Sequence, residues 1–150
     1  MITGYGRLMT IELESRIREA GLRVTGQRLA VLRALEHHPH ADTDEVHRLA
    51  AAEFPGFSLP ATYAVLNALT DAGLLRRIEP AGSPARYERR TGDNHHHVVC
   101  TRCGAVADVD CVHGSAPCLA PASTGGFEIT TAEVTFWGLC PECLAARSTT

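Results

Sequence analysis

SLPATYAVLNALTDAGLL, residues Ser58 to Leu75, followed by RRIEPAGSPARYERR, residues Arg76 to Arg90, is the stretch that decides the fold. Ser58 is a helix cap, Pro60 suits a first helical turn, Leu66 and Leu69 lie on one face, and Gly73 is a stop signal. Leu74 to Glu79 and Ala85 to Arg89 then flank a Pro80–Pro84 turn, which predicts a two-stranded hairpin. Upstream, Thr10 caps a predicted helix reaching about Ala20, with Ile11, Leu13 and Ile17 apolar and Gly21 as its stop. Thr25 caps a second, carried by Leu29, Val31, Leu32 and Leu35 and ended by Pro39. Asp42 to Glu45 is an Asp-x-x-Glu capping signal opening a third helix, with Val46, Leu49, Ala50 and Phe54 apolar. Three helices, a fourth and then a hairpin make the order of a winged helix-turn-helix. A small helical bundle carrying a hairpin is the alternative.

Thr91 to Asn94 is polar and reads as a hinge. The predicted architecture is therefore α+β: a winged-helix domain over residues 1–90, a hinge at 91–94, and an α/β domain with zinc knuckles over 95–150. In the second domain His97 to Cys100 and Ala105 to Val109 read as strands. Residues 112–126, rich in Gly, Pro, Ser and Ala, read as a loop. Phe127 to Leu139 contains a strand at Val134 to Trp137, and a short helix ends the chain.

All six cysteines fall between positions 100 and 143. Cys100-x-x-Cys103-Gly104 and Cys140-x-x-Cys143 are two knuckles. Two intervening residues let both sulfurs of a pair reach one ion, and four thiolates suit tetrahedral structural Zn(II). A pair of redox motifs is the competing reading. It lacks the strand-to-helix setting such motifs occupy. Cys111 and Cys118 stand outside the knuckles, either as ordinary loop residues or as a thiol pair that responds to oxidant.

His95-His96-His97 precedes the first knuckle. On a strand His95 and His97 share a face and His96 points away. Imidazoles at that spacing chelate one metal, and Asp108, Glu88 and His40 are candidates for the remaining donors. Such a nitrogen and carboxylate set suits Fe(II), Mn(II), Zn(II) or Ni(II). His37, His38, His47 and His113 read as surface or capping residues. A catalytic metal in a hydrolase or oxidase is the rival use. No general base or nucleophile is spaced for it, so the chain is not read as an enzyme.

Composition narrows the class. No apolar run approaches the roughly 18 residues of a membrane span, and Met1 to Arg7 lacks the features of a secretion signal. A cytoplasmic location is expected, with no membrane partner. Every basic residue is arginine, with twelve against eleven acids in residues 1–90 and two against six beyond. The basic tilt of the first domain is only weak support for nucleic-acid binding.

Taken in order, these motifs resemble the ferric uptake regulator family. Leu22-Arg23-Val24-Thr25-x-x-Arg28 resembles its opening motif, and Pro60-Ala61-Thr62-Tyr63-x-x-Leu66-x-x-Leu69-x-x-Ala72-Gly73-Leu74 its recognition helix. Arg86-Tyr87-Glu88, the His95 to Gly104 run, Asp108 and Cys140-x-x-Cys143 continue the match. Asp93 to His97, Asp108 to Cys111 and Trp137 to Cys140 look like the actinobacterial branch, whose members control catalase-peroxidase genes.

The resemblance implies a homodimeric, metal-dependent repressor of palindromic operator DNA, with iron as the regulatory metal and an oxidative-stress gene as target. A zinc-, nickel- or iron-uptake regulator of the same family is the alternative. It implies structural zinc on Cys100, Cys103, Cys140 and Cys143. It implies regulatory metal on His40, Glu88, His95, His97 and Asp108, with His38 as fallback for His40. DNA contact is implied for Arg23, Arg28, Thr62, Tyr63 and Asn67. Tyr63, Asn67 and Thr70 form a polar stripe opposite Leu66 and Leu69, as a helix in the major groove requires. Peroxide is the one implied small molecule besides the metal, acting by oxidation of His40 and His95 or of cysteines. Glu88 stands where peroxide sensors tend to carry aspartate. Thr131 and Ala132 stand where the family often has histidine, so no further metal site is expected there. The 112–126 loop replaces the usual dimerisation helix, and Gly26 replaces a frequent proline.

Overall fold

The computed structural model describes residues 4–111 and 119–147; Cys118 and His113 lie outside them. The chain divides into two compact units, Met1–Thr91 and Gly92–Thr150.

The first unit contains α1 (Gly4–Glu19), α2 (Gly26–His37), β1 (Ala41–Asp42), α3 (Thr43–Glu53), α4 (Leu59–Asp71), β2 (Arg76–Ile78) and β3 (Arg86–Glu88). The caps expected from sequence form. Thr25 Oγ1 accepts from the Arg28 N–H at 3.2 Å, Asp42 Oδ1 from Glu45 at 2.9 Å, and Ser58 Oγ from Ala61 at 3.3 Å. Each satisfies one of the donors a helix start leaves open. Gly21 and Gly73 end their helices at φ +75° and +72°. After them Leu22 donates to the Ile17 carbonyl and Leu74 to the Leu69 carbonyl, the closing bond of a Schellman turn.

One core holds the helices together. Leu13 and Ile17 of α1, Leu32 and Leu35 of α2, Val46 of α3, and Leu66 and Leu69 of α4 are almost fully buried in it. The hairpin β2–β3 pairs antiparallel, Arg77 opposite Tyr87, and β1 adds a third strand on the far side of β3.

Three features differ from the sequence reading. α1 begins at Gly4, not after Thr10, because no proline or capping signal interrupts Gly4 to Met9. β1 was not expected, since two residues are too few to show a period. Phe54 is 40% exposed, and Phe57 takes the buried place at 3%. The Phe54 ring lies instead over Gly26, where a Cβ would stand 2.6 Å from Phe54 Cε2. A larger residue at position 26 would have to displace that ring.

The second unit contains β4 (His95–Cys100), β5 (Val106–Asp110), β6 (Thr135–Gly138) and α5 (Pro141–Arg147). β4 is central, antiparallel to β5 and parallel to β6. Of the expected strand between Phe127 and Leu139, only Thr135–Gly138 pairs. Among the described residues, no helix is long and apolar enough to cross a membrane.

Gly73→Ala should cost about 1 kcal/mol. A Cβ there meets nothing within 4 Å, so only the left-handed backbone is penalised. Urea denaturation showing no loss would contradict this account of the end of α4.

Candidate metal centres and DNA-facing surface

The thiolate site grows from the end of β4 and the start of α5. Cys100 closes the strand. Gly104, at φ +74°, turns the chain back so that its N–H reaches the Cys100 carbonyl at 2.9 Å and Cys100 N–H reaches Ala105 at 2.8 Å. Thr101 ties this turn to the end of β6, donating to the Gly138 carbonyl from its N–H at 2.8 Å and its hydroxyl at 3.1 Å. Across the site, Arg102 Nη1 reaches the Cys143 carbonyl at 3.4 Å. In the second knuckle Cys143 N–H points at Cys140 Sγ, 3.5 Å away.

The four sulfurs lie within 4.8 Å of one another, and Cys103 Sγ is 3.7 Å from Cys140 Sγ. Tetrahedral Zn(II) with bonds of about 2.3 Å separates its sulfurs by about 3.8 Å, so the cluster fits the ion. The titration of the thiols points the same way. Cys100 is pulled down to about 6, chiefly by the backbone N–H of Cys140 and then that of Cys103. Cys140 goes up to about 12. The Cys143 N–H favours its thiolate, but the Glu142 carboxylate, desolvation and the Cys143 and Cys103 sulfurs together outweigh that bond. Cys143 is raised as well, its contact with Cys140 being outweighed by desolvation and by Cys103 and Cys100. Cys100 ionises easily, and Cys140 and Cys143 resist; a divalent cation removes that resistance.

On the same unit, His95 and His97 project from one face of β4, their ring centroids 4.9 Å apart. Asp108 of β5 is in register with His97. Its Oδ1 lies 3.8 Å from His95 Nε2 and 3.7 Å from His97 Nε2. Those separations are within ion-pair reach and longer than a hydrogen bond. Asp93 Oδ1 sits 2.7 Å from His95 Nδ1, the outer contact that orients an imidazole whose Nε2 faces a metal.

On the first unit the expected ligands form a pair. His40 Nε2 is 3.2 Å from Glu88 Oε2, both side chains being buried. Glu88 also has Arg76 Nε at 3.8 Å, from the opposite position on β2. His40 is the sole non-glycine residue with positive φ among those described, at +65°. Its N–H donates to the Tyr87 carbonyl at 2.9 Å, and its carbonyl accepts from Arg86 Nη1 at 3.1 Å. A backbone held in a disfavoured region by bonds on both sides marks a position fixed for its side chain. His38, the fallback, is exposed and lies 3.8 Å from Glu45.

The residues expected to contact DNA divide. Tyr63 is 48% exposed, and Asn67, one turn on, is exposed too. They line a groove between α4 and the hairpin with Asp42, Asp44, Arg77 and Tyr87. Arg77, an arginine among many, was not singled out by sequence. It pairs with Glu79. Thr62 is corrected: at 0% exposure it cannot touch DNA. Its hydroxyl donates to the Ser58 carbonyl at 3.1 Å and lies 2.9 Å from His47 Nδ1. His47 is corrected with it, being a half-buried link between helices and not a surface or capping histidine. Arg23 is exposed, while Arg28 is half-buried and donates through Nη1 to the Arg23 carbonyl. Cys111 is half-buried just after β5; its expected partner Cys118 lies outside the described residues.

The family model described as the ferric uptake regulator family matches residues 19–137. The chain is 55% identical over 127 residues to the transcriptional regulator FurA of Mycobacterium tuberculosis, covering 85% of this chain and 86% of that protein. It is 31% identical over 147 residues to the peroxide-responsive repressor PerR of Staphylococcus aureus, covering 90% and 98%. Among solved structures, the Helicobacter pylori ferric uptake regulator, described as having three functional metal-binding sites, matches with TM-score 0.65 at 19% identity. That match covers 92% of this chain and 93% of that one. At such identity the likeness concerns the fold.

Zinc loading of the thiolate site should release protons, and its affinity should rise between about pH 6 and pH 8. Without metal Cys140 keeps its proton up to about 12, so binding must expel it. Chelator competition across that range checks the sign. Affinity independent of pH, or zinc retained after Cys140→Ser with Cys143→Ser, would overturn the assignment.

Proposed function

The chain belongs to the ferric uptake regulator family, and on that premise we propose how this metal-responsive transcriptional regulator couples metal to DNA. The observation that carries the reading is the division of five donors into two incomplete sets. The first unit offers one imidazole and one carboxylate, His40 and Glu88. The second offers two imidazoles and one carboxylate, His95, His97 and Asp108. Neither set alone fills the shell of Fe(II), Mn(II) or Zn(II), whereas together they supply five ligands. In this reading both sets grip one ion, which supplies the charge that draws buried donors together. His40 and Glu88 then fix the orientation of the winged unit, and His95, His97 and Asp108 hold the other unit to it.

The functional form is a cytoplasmic homodimer with two such heads on a palindromic operator. Tyr63 and Asn67 face the base edges, Arg23 lies near the minor groove, and phosphate contacts dominate affinity. Iron is the proposed regulatory metal and a catalase-peroxidase or other oxidative-stress gene the proposed target. Oxidation of His40 or His95, or of the cysteines, removes a donor and releases DNA. Glu88, where peroxide sensors tend to carry aspartate, favours a second reading in which the chain reports metal supply.

Operator affinity should rise between about 5-fold and 150-fold on adding Fe(II) or Mn(II) to metal-depleted protein, the span of ordinary coupling energies. His95→Ala with His97→Ala should abolish that rise while leaving zinc content unchanged. Fluorescence anisotropy measures both, and a peroxide pulse after Fe(II) loading separates the two readings. Equal affinity with and without the metal would refute the coupling.

A further inference from the structure

The contact between His47 and Thr62 is used by neither metal set nor DNA surface. His47 lies on α3, and Thr62 lies in the first turn of α4, next to the exposed Tyr63. The Thr62 hydroxyl has one proton, and the Ser58 carbonyl accepts it at 3.1 Å. The hydroxyl oxygen is then free to accept from His47 Nδ1 at 2.9 Å. The imidazole cannot swing away freely. Its ring stands edge-on to Phe57, centroids 6.4 Å apart, and Phe57 stands edge-on to Phe54 at 6.5 Å. Phe54 in turn lies over Gly26 at the start of α2.

From this geometry we propose that His47 is a positioning residue that sets the rotation of α4 about its own axis, and through it where Tyr63 and Asn67 meet the bases. Leu66 and Leu69 anchor α4 in the core, but apolar contacts are non-directional. A hydrogen bond from a neighbouring helix is directional, and it fixes the angle. With Cα atoms about 2.3 Å from a helix axis, a tyrosine tip stands roughly 9 Å out and moves about 1.5 Å for a rotation of about 10°. That displacement is enough to break a hydrogen bond to a base edge, whose length tolerates only a few tenths of an ångström. Phosphate contacts, made by flexible side chains to a continuous backbone, tolerate it. Sequence discrimination should therefore suffer more than general DNA affinity.

This inference rests on the reading of α4 as the DNA-reading helix. The test uses the full-length, metal-loaded protein and a duplex that the wild-type protein selects from a random pool in Mn(II). Selection of no sequence at all would overturn that parent reading, and this inference with it. Given a selected duplex, His47→Ala and Thr62→Val should each lower affinity for it about tenfold, the cost of one lost hydrogen bond. Affinity for unselected DNA should change less than about twofold, and the double variant should be no worse than either single one. His47→Asn, which keeps an N–H donor near the Nδ1 position, should recover most of the loss. Circular-dichroism melting establishes that each variant is folded, and if His47→Ala unfolds the unit, His47→Phe, which keeps a ring beside Phe57 but has no donor, carries the comparison with the near-isosteric Thr62→Val. Equal losses on selected and unselected DNA, or losses that multiply in the double variant, would overturn the proposal.

Discussion

Four sulfurs within 4.8 Å of one another are the constraint on which the second unit depends. Its described residues contribute only Val99 and Cys100 to the buried apolar set. Three short strands with so little apolar burial do not hold a fold by hydrophobic contact alone. The knuckles fasten the end of β4, the end of β6 and the start of α5 at one point, where Thr101, Arg102 and Gly104 already converge through hydrogen bonds. A divalent cation there turns mutually repelling thiolates into a cross-link. Binding free energy becomes folding free energy.

With the sheet fixed in that way, β4 and β5 act as a rigid frame for a second chemistry. The strand period places His95 and His97 on one face, and the antiparallel register brings Asp108 opposite His97. Asp93 holds His95 in one tautomer. The winged unit makes its own contribution by different means. His40 is locked at positive φ between Tyr87 and Arg86, beside the buried carboxylate of Glu88. Strain of that kind costs stability and persists where the surrounding bonds over-determine the conformation. The two donor chemistries are thus separated by element type: thiolates at turns, imidazoles and carboxylates on strands and the left-handed corner before β1.

The proposed DNA surface of the winged unit follows from its core. Burying Leu66 and Leu69 turns the opposite stripe of α4 outward, where Tyr63 and Asn67 face the groove beside the hairpin. Thr62 shows how narrow that division is. One residue before Tyr63 on the helix, it points inward and spends its hydroxyl on Ser58 and His47. Two adjacent positions on α4 therefore differ, Thr62 tied inside the unit and Tyr63 turned to solvent.

The sequence by itself determined the elements and the chemical types. Caps at Thr25, Asp42 and Ser58, stops at Gly21 and Gly73, and the Cys-x-x-Cys spacing are local patterns, each written within a few residues. Helix order and the thiolate set were legible for that reason. The tertiary structure decided what depends on residues far apart in the chain. It set His40 beside a carboxylate 48 positions away, and buried Thr62 against a histidine 15 positions away. It added β1 by pairing it to β3, and put the Phe54 ring where the backbone of Gly26 leaves room. A local period records which face of an element is apolar. It does not record which neighbour that face, or a polar group beside it, will meet, because packing alone brings those neighbours within a bond length.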